Sequence, residues 1–139
     1  MTIKDSFDTA GARSTAGTKG RERCVPTEDA AAVARLRAAG AILVGKTNTS
    51  ELTMSYITDD LLFGRTYNPY SLATSSGGSG GAAAILATGG VPLDIGTDTG
   101  GSVRVPANFC GITGLKPSAK PYVNSRPRVL IFLGSNFQT

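Results

Sequence analysis

Between residues 75 and 102 the chain reads SSGGSGG, AAAILATGG, VPLDIGT and DTGGS: a glycine loop, a short helix, an apolar strand and a second glycine loop. That order leaves few folds open. A helix running straight into an apolar strand is half of a β–α–β unit, with the strand inside a sheet and the helix across one face. The same order occurs upstream, where PTEDAAAVARLRAAG precedes AILVGKT. Pro26 and Thr27 open that helix, Glu28 and Asp29 suit its positive end, and Gly40 stops it. AILVGKT has the β-branched, apolar character of a buried strand. TIKDSF reads as a strand end entering a loop. The expectation is an α/β fold with its strands in the middle.

At 139 residues the chain makes one domain. Most of its 18 glycines fall between Gly77 and Gly114, so turns and close backbone approaches concentrate there. The longest apolar run, Val129 to Leu133, is far short of a membrane span. The start lacks a basic segment followed by an apolar one, and only Cys24 and Cys110 are present. The expected setting is therefore the reducing cytoplasm, without a secretory signal or a disulfide framework. Without histidine, and with two distant cysteines, a zinc site has no ligands, and no metal is expected. The net charge of +4 comes from scattered residues not interleaved with aromatics, which argues against nucleic acid as a partner.

Two phosphate-binding patterns can be set against the glycine loops. A phosphate loop requires a lysine after its second glycine, and none follows here. Gly78 to Ala83 satisfies G-x-G-x-x-A, but YNPYSLATS ahead of it is not a strand, so the dinucleotide context fails. A serine on a glycine turn fits other chemistry. The backbone N–H groups of Thr99, Gly100, Gly101 and Ser102 can converge on one oxygen as an oxyanion hole. A reactive serine also needs a base, and with histidine absent a carboxylate or a desolvated, neutral lysine must serve.

GGSGGAAAILATGGVPLDIGTDTGGSVRVPANFCGITGLKP closely resembles the signature of the amidase signature family of serine hydrolases. TIKDSFDTAG, DAAAVARLRAAGAILVGKTNTSEL and LLFGRTYNPY are similar to that family's other blocks, in the same order. The resemblance covers about residues 1–118. It implies a mixed sheet flanked by helices and a Ser–Ser–Lys triad, with Ser102 as nucleophile and Lys4 as base. It also implies Thr99, Gly100 and Gly101, with Ser102, as oxyanion donors, and Thr53 and Met54 as lining of the acyl pocket. The substrate class is a small-molecule amide, and no cofactor is required. The family's loop usually reads G-G-S-S-G-G, whereas this chain has Gly77-Gly78-Ser79-Gly80-Gly81. Counting forward from NPY puts Ser79 at the bridging position; counting back from Ser102 puts Gly78 there. Ser79 is taken as the bridge. Asp98 and Arg104 read as supports of the nucleophile loop, and Cys110 as a packed small hydrophobe.

The family has elements before the lysine block and a long continuation after GLKP, so the fold is expected to be incomplete at both ends. Residues 1–118 form the partial domain, and 119–139 form a divergent tail. Such a sheet should have open edges and uncovered apolar surface. Lys4, close to the N-terminus, should be poorly desolvated and remain protonated. Three readings follow: an amidase, an inactive fragment served by a complementing chain or a homo-oligomer, and a relative of the amidotransferase A subunit.

Overall fold

The computed structural model describes residues 1–117 and the strand at 129–133. Its centre is a five-stranded mixed sheet in the order β2-β1-β7-β9-β8, built from β1 (Thr2–Lys4), β2 (Gly45–Thr47), β7 (Leu93–Thr97), β8 (Thr113–Leu115) and β9 (Val129–Leu133). Strands β2, β1 and β7 are mutually parallel, while β9 runs antiparallel to both β7 and β8. Between β2 and the glycine loop lie two small hairpins. One pairs β3 (Asp59–Asp60) with β4 (Gly64–Arg65), the other β5 (Tyr67–Asn68) with β6 (Ser71–Ser75). The helices are α1 (Ala31–Ala38), α2 (Gly80–Ala87) and α3 (Arg104–Phe109). No helix among the described residues is long and apolar enough to cross a membrane.

The two faces of the parallel strands differ in chemistry. Side chains alternate along a strand, and the register sets Thr2 beside Gly45 and Asp94, and Lys4 beside Thr47. Ile3 and Ile95 point the other way and pack with Phe7 and Val33 of α1 into one apolar core. Helix α2 therefore covers the face that carries Thr2, Lys4, Thr47 and Asp94. Ala82, Ala83 and Leu86 of α2 form a second core with Val103, Ala107, Cys110 and Ile112.

Two elements are shorter than the sequence predicts. Helix α1 starts at Ala31 rather than just after Thr27. Asp29 is spent elsewhere: it accepts from the Ala10 amide at 2.7 Å and from Arg37 at 3.1 Å. The amide of Ala30 donates to Asp8 O, so residues 26–30 are tied to the opening turn and not wound into the helix. Gly40 ends the helix at φ +87°. The buried strand expected over 41–47 shrinks to Gly45–Thr47, with Ile42 77% and Val44 65% exposed. β2 is the outermost strand, and no further layer covers these side chains among the described residues. Of the tail from 119 to 139, the described part is β9, which lies inside the sheet between β7 and β8.

Candidate active site

Parallel strands bring their carboxyl ends to one edge of a sheet, where α/β proteins place their sites. Here that edge gathers Lys4 at the end of β1, Asn48 to Ser50 after β2, and Thr97 to Ser102 at the end of β7 and in the turn beyond it. The loop 77–81 joins them through residues 48–58. Gly77 O accepts from the backbone N–H and Oγ1 of Thr58 at 3.1 and 2.7 Å, and Gly78 O from Thr49 Oγ1 at 3.3 Å. The amide of Gly80 donates to Thr58 Oγ1 and that of Gly81 to Asn48 O. These amides hold the loop in place, in keeping with the rejection of a phosphate cradle.

Lys4 is fully buried, which overturns the expectation of a solvated, protonated base. Closeness to the N-terminus along the chain is a poor guide to exposure here. In the fold, β1 has β2 on one side and β7 on the other, with α2 over the face that carries the lysine. Burial drives the Lys4 pKa down to about 8, against the opposing pull of Asp94 and Asp98. About one molecule in ten then has a neutral Lys4 at pH 7. Its Nζ donates to Thr97 Oγ1 at 3.1 Å.

Asp98 organises the nucleophile turn. Its carboxylate is buried and accepts from the amides of Gly101 (2.8 Å), Val103 (3.2 Å) and Arg104 (3.3 Å). It also accepts from Arg104 Nε and Nη2 at 3.0 and 2.9 Å and from Lys116 Nζ at 3.1 Å. Burial alone would raise its pKa, but these bonds outweigh it and hold the group well below the ordinary carboxylate range. Asp98 and Arg104 thus hold the loop backbone, and Lys116 is a third member of the support. The amide of Gly101 is committed to Asp98. Those of Thr99, Gly100 and Ser102 have no acceptor among the described residues.

Ser102 is nearly buried in this turn, and Ser79 is fully buried just ahead of α2. The Ser79 hydroxyl has no hydrogen-bond partner among the described residues, while two of the three protons on Lys4 Nζ are unspent. No hydrogen bond joins Lys4, Ser79 and Ser102 directly among those residues. At Gly78 a side chain has no room: a Cβ would collide with the carbonyl oxygen of Ser55. Gly78→Ser is therefore expected to cost about 1–3 kcal/mol in chemical denaturation. Unchanged stability would show that the alternative bridging position can accept a hydroxyl.

Met54 lies 85% exposed, and Thr53 has a left-handed backbone, φ +62°. The residue of this segment that reaches the nucleophile turn is Tyr56, whose hydroxyl donates to Gly100 O at 2.8 Å. Sequence reasoning missed Tyr56, Thr97 and Asp94. For Asp94 a signal was present, a carboxylate in the middle of the apolar strand LDIGT. Cys110 is buried, with its thiol pKa raised by that burial, as a packed small hydrophobe requires.

Lysine and serine on adjacent parallel strand ends, with a carboxylate-braced glycine turn between them, define a hydrolase-type α/β site. The amidase family model matches residues 1–127, and the chain belongs to that family. It is 53% identical over 117 residues to the A chain of the glutamyl-tRNA(Gln) amidotransferase of Roseiflexus sp. (strain RS-1), a match covering 84% of this chain and 24% of that protein. Among solved structures it resembles the corresponding glutamyl-tRNA(Gln) amidotransferase chain from Thermotoga maritima, with a TM-score of 0.76 and 40% identity over 80% of this chain and 25% of that one. It also resembles 6-aminohexanoate cyclic dimer hydrolase in complex with substrate, with a TM-score of 0.85 and 34% identity over 96% of this chain and 31% of that one. The chain spans about a quarter of the length of the curated relatives it matches.

Proposed function

We propose that this chain carries the nucleophile and the base of an amide hydrolase. The observation that supports it most is the buried, weakly basic Lys4 beside the strand that leads into Ser102. Neutral Lys4 takes the Ser102 proton through the hydroxyl of Ser79, and Ser102 Oγ attacks the amide carbonyl. The amides of Thr99, Gly100 and Ser102 receive the oxyanion. As the C–N bond breaks, the proton passes to the leaving amine or ammonia, and an acyl group stays on Ser102. Water, deprotonated along the same relay, releases the acid and restores the serine. The compartment is the cytoplasm, where Cys24 and Cys110 stay reduced; both are free in the fold.

The kinship with the amidotransferases makes the side-chain amide of glutamine one candidate substrate, alongside the linear amides of the hydrolases. A second reading is also favoured by an observation. Ile42, Val44, Met54, Leu61 and Leu72 are all exposed, which is apolar surface that a complementing chain would cover.

Fluorophosphonate labelling of the folded chain tests the first reading. Labelling should vanish in Ser102→Ala, fall at least about 100-fold in Lys4→Ala, and rise with pH through about 8 as Lys4 loses its proton. Undiminished labelling of Lys4→Ala would remove the lysine from the mechanism. A folded wild-type chain that does not label at any pH would leave the complementing-chain reading in its place.

A further inference from the structure

Asp94 has no role in the relay just described, yet it sits where it can govern it. It is fully buried in β7, on the face shared with Lys4, Thr2 and Thr47. Thr2 is its direct neighbour across the β1–β7 ladder, and Lys4 is the next residue of β1 on that face. Thr47, the Cα partner of Lys4 across the β1–β2 ladder, donates its Oγ1 to Asp94 Oδ2 at 3.0 Å. The other carboxylate oxygen has no partner among the described residues. Stability does not account for such a group, because a buried, half-satisfied carboxylate weakens a core that an apolar residue would strengthen.

We propose that Asp94 is a positioning residue that sets the charge of Lys4, and through it the pH at which the base becomes available. While ionised, Asp94 favours the protonated lysine; once protonated, it releases that hold. Burial raises the Asp94 pKa to about 7, against the lowering effects of the neighbouring Thr2 and Thr47 hydroxyls and the Lys4 charge. The two groups therefore titrate in the same narrow range, and each feels the other.

Few other charges compete. Helix α2, which covers this face, contains no titratable residue, and neither does the sequence of β9. Lys46 of β2 faces away, donating to Phe7 O and Ser14. The remaining charges that act on the pair are Asp98, itself neutralised by Arg104 and Lys116, and the N-terminal ammonium.

The inference depends on Lys4 serving as the base only for its effect on reactivity, and the experiment separates the two. The intact chain, with lysine labelled at the ε carbon, is titrated by NMR as wild type and as Asp94→Asn, with Lys4→Gln assigning the resonance. Removing the negative charge should shift the Lys4 midpoint down by about one pH unit. The pH profile of Ser102 labelling should shift by the same amount. An unmoved Lys4 midpoint overturns the proposal. A shifted midpoint with an unshifted labelling profile supports the control of Lys4 by Asp94 but removes Lys4 as the base. If Asp94→Asn does not fold, the wild type carries the test: the Lys4 ε carbon and the Asp94 carboxyl carbon should both titrate in two steps. Two independent single-step curves would overturn the proposal.

Discussion

Asp98→Ala is expected to lower the unfolding free energy by about 3 kcal/mol and to abolish labelling of Ser102 even in the molecules that stay folded. The carboxylate is buried under three backbone amides, a guanidinium and an ammonium. Its removal leaves those donors facing a cavity, and unpaired buried donors cost more than a hydrogen bond contributes. The figure sits at the lower end for a broken buried pair because the Arg104 side chain is more than half exposed and rehydrates. The functional loss does not follow from stability alone. The Gly101 amide anchors the turn to Asp98, and without that anchor the neighbouring amides no longer share one target. Asp98→Asn should fall between, since an amide oxygen still accepts while its NH2 group opposes Arg104. Urea denaturation reads the first effect and labelling at matched folded fraction the second; a fully labelled Asp98→Ala chain would exclude the anchoring role.

The acid limb follows from the same group. Its folded pKa is held below the unfolded value, so its stabilisation is complete above the unfolded pKa of about 4 and is lost as pH falls below that.

Gly81→Ala shows propensity losing to packing. Alanine is the better helix former by about 1 kcal/mol, and Gly81 is the second residue of α2. A Cβ there, however, would overlap the backbone nitrogen of Asn48 and lie 2.8 Å from its carbonyl oxygen. Backbone cannot swing aside as a side chain does, so overpacking at the upper end of about 1–3 kcal/mol is expected. The net result should be a loss of about 2 kcal/mol. Gly45→Ala is the control, because a Cβ at that edge-strand position meets nothing within 4 Å. Displacing the start of α2 also carries Ser79 away from the corner where Lys4 lies, so labelling should weaken in Gly81→Ala alone. Equal stability of the two variants would mean that α2 is not pinned to β2 at this point.

What the sequence made readable was local. The glycine loops, α2 and β7 could be read from residues within ten places of one another, and so could the brace of Asp98 and Arg104. What escaped depends on contacts across the sheet. Asp29 looks like a helix-starting carboxylate until Ala10 and Arg37 claim it. Ile42 and Val44 look like core until β2 proves to be the last strand in its row. Lys4 reads as exposed until β2, β7 and α2 close around it, and Tyr56 reaches Gly100 from 44 residues away. The family resemblance named Lys4 and Ser102, but the environment of each could only come from the fold.

The place of β9 bears on how the protein is made. Strand β8 joins the sheet through β9 alone, and β9 also closes the open side of β7. During synthesis, β1, β2 and β7 can assemble as soon as Thr97 clears the ribosome, but the strand that feeds the nucleophile turn keeps a bare edge until Leu133 has followed. At about 5–20 residues per second that interval lasts a few seconds. An unpaired strand edge left open that long is a ready template for another nascent chain, so chaperone capture in that interval should govern the yield of soluble protein in the cell.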